Sequence, residues 1–429
     1  MELLKYTLTR VAYAITNPTH AMVLIALSFI FYIQNKKTAK IEHMIMGGNT
    51  ASAFELTISQ MVMGILGGTI ASILVVYLGV TFDINSNIYI LFFISILLMI
   101  FNPRFICLSY SGAVLGILSS IFTLLSKILE MPKLNIFNIS VVDLIVLVGI
   151  MHFVEGILVI LDGKRGSIPV FGNRNNTIIG GFAFKRYWAL PVVLLMIIGT
   201  AASNGGSQIA TPNWWPILNH NVNKLFFETV ILGALPIYAV VGYTASTFTR
   251  TRKEKTLFSG ALISLFGLAL IILSPLGKFG FIYQMVLLLF MPFAHEAISI
   301  FDRKKELKGK PIYVSNDEGI MILDVAPSSL GSEMGLKSGD MILEINDIKM
   351  INDDDMFEFM DQIPSTLWIK IKRRTGEIIE LTKNRIENGS RMGVVIVPRD
   401  IPNKKKIMKI EKSFEEILNK IKNKKNSDD

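Results

Sequence analysis

The chain has 429 residues, of which 51% are hydrophobic and only 18% charged, a balance too apolar for an ordinary soluble protein. Its net charge of +9 comes from basic residues beside apolar runs and in the C-terminal tail, which fits membrane topology and argues against a nucleic-acid binder. A single cysteine, Cys107, excludes an internal disulfide framework and any multi-cysteine metal site.

A bilayer core takes about twenty apolar residues as helix. The chain offers nine candidate spans, at 21–33, 59–80, 86–101, 105–129, 139–161, 188–203, 225–247, 257–276 and 279–301. The first is short and the third is tight against the fourth, so the expectation is a polytopic α-helical membrane domain of 8–9 spans over residues 1–301. The first run follows Asn17-Pro18-Thr19-His20 and has no small-residue cleavage site after it, so no cleavable signal peptide is expected. With the C-terminal region cytoplasmic, the alternate loops on its side hold eighteen Lys and Arg against six on the other side. The positive-inside rule therefore places the C-terminus in the cytoplasm and, with nine spans, the N-terminus outside. The glycine-rich segment 162–186 is expected to be an ordered cytoplasmic loop. Trp214 and Trp215, in an outer loop, are expected to anchor at the membrane interface.

His152, Glu155, His295 and Glu296 fall inside predicted spans, where ionisable groups are costly and tend to be partnered. His152 and Glu155 are three residues apart and share a helix face, and the His295-Glu296 pair is expected at a similar depth. Two readings stand open. In one, the four residues form a polar clamp between spans, with no metal, no cofactor and no catalytic residue. In the other, they and Asp162 bind a metal. The outline resembles site-2 intramembrane metalloproteases, which carry a membrane HExxH, a later LDG and sometimes a PDZ domain. Here His295-Glu296 is followed by Ala297, Ile298 and Ser299, so the second histidine is missing, and Leu161-Asp162-Gly163 precedes the HE. The clamp is therefore the expectation, and the chain is not expected to be an enzyme.

After a basic linker at 302–310, residues 311–398 read as a small α+β domain. An apolar strand from Gly319 runs into Pro327-Ser328-Ser329, a short helix closes at Gly335, and Gly339-Asp340 turns into a second strand. A helix over 353–362, ended by Pro364, shows apolar residues at helical spacing, and further strands follow. The order strand, "APSS", small helix, "GLKSGDMILEIN", helix, strands resembles a bacterial PDZ domain. That resemblance implies a peptide bound as an added strand beside the helix, its terminal carboxylate held by loop amides. Asp353, Met356, Phe357 and Met360 would line the groove. Arg391-Met392-Gly393-Val394 is one candidate for the carboxylate loop and residues 315–318 are the other. A purely structural role for Gly393 in twisting the last strand also stays open.

Residues 399–429 read as a basic amphipathic helix, suited to anionic lipid on the inner leaflet, with pairing to another helix and packing on the α+β domain as the alternatives. Across the whole chain, "MHFVEGILVILDG", "IPVFG" and "IIGGFAFKRYWALPVV", together with the C-terminal PDZ-like segment, resemble the MinJ family of cell-division topological determinants of Gram-positive bacteria. The resemblance implies a membrane scaffold at septum and poles. Its partners would be the Min-system ATPase, a DivIVA-type polar protein and other division proteins.

Overall fold

The computed structural model describes residues 2–101, 107–132, 135, 137–200, 215–218, 230–350, 353–361, 363–387 and 389–399. The tail helix expected up to residue 429 lies outside the described residues, as does Trp214. The N-terminal part runs α1 (Glu2–Thr16), α2 (Pro18–Met46), α3 (Ala53–Leu78), β1 (Thr81–Asp83), α4 (Ile90–Phe101), α5 (Leu108–Ile128), α6 (Val141–Asp162), β2 (Ile168–Arg174), β3 (Thr177–Thr200), β4 (Val230–Thr247), α7 (Arg252–Leu273), a 3-10 segment (Ser274–Phe279) and α8 (Phe281–Lys308). Local signals set many of these ends. Ser52 with Glu55 and Thr251 with Glu254 form capping boxes that start α3 and α7. Gly47 and Gly79, both left-handed, end α2 and α3.

Among the described residues, six helices are long and apolar enough to cross a membrane: α2, α3, α5, α6, α7 with its 3-10 extension, and α8. They mark a membrane protein by length and composition. The expectation of eight or nine helical spans needs correction at three of them. Segment 86–101 is a helix of only 12 residues, α4. The described parts of segments 188–203 and 225–247 fall on strands β3 and β4, which pair antiparallel from Phe182↔Thr247 to Thr200↔Val230. Hydropathy does not distinguish a buried strand from a buried helix, and Pro191 within β3 would have broken a helix. The loop expected at 162–186 is in fact the hairpin β2–β3. It turns on Asn175 and Asn176, both at positive φ, as a two-residue hairpin loop requires.

Strand β3 lies along α3, and the two periods match. Residues four apart on a helix advance about 6 Å and residues two apart on a strand about 6.7 Å. Accordingly Gly64 meets the backbone of Ala189, Gly68 meets Pro191, and the Ser72 hydroxyl accepts the Val193 N–H at 3.0 Å. A Cβ at Gly64 would lie 2.2 Å from the Ala189 carbonyl oxygen, and one at Gly68 would lie 2.4 Å from that of Pro191. The strand edge left by β4 is thus covered by a helix rather than exposed, which a strand in an apolar setting needs. Helices α6 and α7 approach equally closely, with Gly149 against Gly267 and Gly156 against Gly260.

The C-terminal unit has β5 (Ile320–Val325), α9 (Leu330–Glu333), β6 (Met341–Ile345), β7 (Ile348–Lys349), α10 (Asp353–Asp361), β8 (Thr366–Lys372), β9 (Ile378–Asn384) and β10 (Val394–Val397). Its antiparallel sheet has the order β10-β5-β6-β8-β9, with β7 beside β6. Residues 302–308, expected as a linker, are the last turns of α8. Strands β5 and β10 are buried on both faces, which explains their unbroken apolar runs. Ile320, Ile322, Val394 and Ile396 pack with Met356 of α10, whereas Met321, Leu323, Val395 and Val397 join the core that contains Phe182 of β3. Hydrogen bonds from Gly180 N–H to the Tyr313 carbonyl and from Ile312 N–H to that of Phe248 complete the docking.

Candidate functional site

The ionisable residues expected inside the spans converge only in part. His152 is the twelfth of the 22 residues of α6, and His295 the fifteenth of the 28 of α8. Their rings meet edge-on, with centroids 5.5 Å apart, beside Phe266 of α7. The Nδ1 of His152 lies 2.8 Å from the Val148 carbonyl, and its Nε2 lies 3.0 Å from the Sγ of Cys107. A carbonyl only accepts, so Nδ1 carries the proton and Nε2 presents a lone pair to the thiol. Glu296 instead accepts a hydrogen bond from the Tyr110 hydroxyl at 2.9 Å. Glu155 lines a cavity of about 400 Å³ shared with Cys107, His152, His295 and Glu296. Cys107 caps the start of α5, so α5 begins beside the midpoint of α6. Sequence reasoning missed both Cys107 and Tyr110. Each is an isolated residue in an apolar run, and only the folded contact reveals it.

Asp162, a metal-ligand candidate in the protease outline, is engaged elsewhere. Its carboxylate accepts from Arg186 Nη2 at 2.5 Å, from Trp188 Nε1 at 2.9 Å and from the Ser59 hydroxyl at 2.7 Å. Arg186 also donates to the Leu56 carbonyl at 3.2 Å. Charge, aromatic donor and hydroxyl thus tie α3, α6 and β3 together in a buried site. Trp215, expected at the membrane interface, is buried beside Leu3 and Leu195 and donates to the Val76 carbonyl at 2.7 Å.

On the C-terminal unit, the groove expectation falls on the edge strand β10 and on α10. Met356 is fully buried and Met360 partly so, while the Phe357 side chain and Gln362 lie outside the described part. Asp353 Oδ2 accepts the Arg399 N–H at 2.8 Å, which ties the start of α10 to the end of β10. In the turn before β10, the carbonyls of Arg391, Met392 and Gly393 accept from Leu330, Gly331 and Ala326 N–H. Among the described residues the amides of these three have no hydrogen-bond acceptor. Arg391 is exposed, whereas Met392 and Val394 are buried and offer only backbone. Gly393 sits at φ +63, where a Cβ would lie 2.3 Å from that of Ser329, so it has a packing reason as well. Residues 315–318 lie at the other end of β10, where the Ser315 hydroxyl bridges the Val397 carbonyl and Met321 N–H.

The GLKSGD turn is held by Asp340, whose carboxylate accepts the Lys337 N–H at 2.8 Å and pairs with Arg373. Burial nevertheless pushes its carboxyl above the usual range, outweighing the pull of those two donors.

The chain matches no protein-family model. It is 23% identical, over 232 residues, to the cell division topological determinant MinJ of Bacillus subtilis (strain 168). That segment is 52% of this chain and 55% of that protein, so the chain spans about half the length of the curated relative it matches. The similarity supports a distant relationship to MinJ over that segment.

Proposed function

We propose that this chain is a multi-pass membrane scaffold whose C-terminal unit is a PDZ-type peptide-binding domain that recruits partners for placement of the cell-division machinery. The observation that carries the peptide-binding reading is the Arg391–Gly393 turn. Its carbonyls are held inward and its amides unengaged, beside a basic side chain and at the head of an edge strand. Such a set of amides suits a terminal carboxylate, and the strand edge suits an added peptide strand. The distant similarity to MinJ supports the cell-division role. Candidate partners are the Min-system ATPase, a DivIVA-type polar protein and other division proteins, with septum and poles as the place. The basic tail would add affinity for anionic lipid, and the Lys and Arg distribution supports a cytoplasmic C-terminal unit. We read the chain as non-enzymatic, since Asp162 is held by Arg186 and Trp188 and the HE pair lacks its second histidine.

The test places a photo-crosslinking residue at Ser390, next to the Arg391–Gly393 turn and leaving Arg391 in place, in the full-length chain in the native host. Adducts with division proteins, lost when an excess of a carboxy-terminal peptide from the captured partner is added to membranes, are expected. Adducts with lipid alone from a correctly inserted protein would sink the reading.

A further inference from the structure

We propose that Cys107, His152 and His295 form a zinc site that staples the start of α5 to the midpoints of α6 and α8. One donor atom from each residue lies within 4.8 Å of the other two. In a tetrahedral zinc site, bonds of about 2.3 Å to sulfur and about 2.0–2.1 Å to nitrogen hold the donors roughly 3.3–3.6 Å apart. The Cys107 Sγ and His152 Nε2 are 3.0 Å apart and no pair in the trio exceeds 4.8 Å, so small side-chain adjustments would reach that spacing, on three helices brought together by packing.

Three further observations point to an ion. The Val148 carbonyl fixes the His152 tautomer so that Nε2 faces Cys107 as a lone pair, an arrangement typical of metal-binding histidines. The Nδ1 of His295 is buried and has no hydrogen-bond partner among the described residues, although buried ring nitrogens are ordinarily satisfied. Glu155, one helical turn beyond His152, lines the same cavity. One thiolate and two neutral imidazoles reduce the charge of the ion to +1, and the Glu155 carboxylate, in the same cavity but outside the close trio, is available to offset the remainder. Binding releases the thiol proton and forms no other bond beyond those to the metal. The site is a structural one, with the Glu296 carboxylate occupied by Tyr110. It rests on this geometry alone and is independent of the peptide-binding reading.

The experiment uses the full-length protein purified in detergent, as wild type, Cys107→Ser and His295→Ala. Zinc and copper are measured per chain after incubation with zinc and gel filtration, with monodispersity and thermal midpoint recorded for each sample. About one zinc per chain is expected in the wild type, and at least a tenfold loss in each variant. Replacement of zinc by cobalt should give a thiolate-to-cobalt charge-transfer band in the wild type that Cys107→Ser lacks. The near-isosteric Cys107→Ser keeps the test decisive if His295→Ala does not fold. A monodisperse wild type with neither zinc nor the cobalt band would overturn the proposal, leaving a thiol-to-imidazole hydrogen bond. Zinc unchanged by both substitutions, or stoichiometric copper in its place, would overturn it equally.

Discussion

Arg252, at the start of α7, grips Asp324 of β5 through two parallel hydrogen bonds of 2.9 and 2.8 Å, joining the membrane-type helices to the C-terminal sheet. The same guanidinium lies 4.5 Å from the centre of the Phe182 ring. The Asp324 side chain is 4% exposed and that of Arg252 30%, so water screens only one partner. Removing one member of a buried pair costs about 3–5 kcal/mol, and that screening reduces the expectation for Arg252→Ala to about 1–3 kcal/mol. The loss should appear locally, as faster amide exchange in β5 and at Ile312 and Tyr313, with the α6–α7 pair unaffected. The exchange of charges in Arg252→Asp with Asp324→Arg should recover part of it. Unchanged exchange in Arg252→Ala would show that docking rests on the apolar face alone.

The fit of β3 to α3 depends on absent side chains. Gly68→Ala forces a Cβ to within 2.4 Å of the Pro191 carbonyl oxygen, and neither backbone has a flexible end that could yield. Overpacking of this kind costs about 1–3 kcal/mol or more. Gly64→Ala should behave alike. Gly48→Ala, whose Cβ would meet only an ordinary contact at 3.9 Å, should be near neutral. Thermal unfolding in detergent ranks the three. Equal midpoints for Gly68→Ala and Gly48→Ala would refute the close strand-helix contact.

The sequence was readable in the C-terminal unit, where Gly335 at positive φ follows the short helix α9, α10 ends at Asp361 just before Pro364, and the order of strands and helices runs as expected. The hairpin β3–β4 was not, because its apolar runs satisfy a hydropathy window as well as a helix does. Pro191, the Gly180-Gly181 pair and the Asn175-Asn176 turn were the available signals for strand. For the intramembrane cluster, charge within an apolar run flagged His152 and His295. Cys107 carried no such mark, since an isolated thiol in an apolar run reads as packing.

Asp162 and Arg186 form a buried pair whose side chains are 2% and 1% exposed. Asp162→Asn leaves a guanidinium buried with weaker acceptors, and about 3–5 kcal/mol of stability should be lost. The joint replacement Asp162→Leu with Arg186→Met should cost much less than the sum of the single changes. Bound zinc should be unaffected in a folded Asp162→Asn sample, because Asp162 belongs to a different cluster. Loss of zinc without loss of stability would return Asp162 to the metal and reopen the hydrolytic reading.

Tyr313 supplies a pH dependence for docking of the C-terminal unit. Its ring stands edge-on to Phe182 at 5.5 Å, and its carbonyl accepts the Gly180 N–H. Burial raises its phenol above the ordinary value, opposed by the Ser338 hydroxyl, Arg252 and Arg374 and aided by Asp324. A group whose pKa is raised on docking binds its proton more tightly in the docked state. Its contribution is therefore full below the ordinary tyrosine value of about 10 and declines as pH rises through the raised one. Amide exchange at Ile312 and Tyr313 should accelerate over that alkaline window in the wild type. In Tyr313→Phe, which keeps the ring and removes the ionising group, this part of the acceleration should vanish. Other tyrosines and lysines titrate there too, so the difference between the two profiles is the measurement, and coincident profiles would remove Tyr313 from the docking contact.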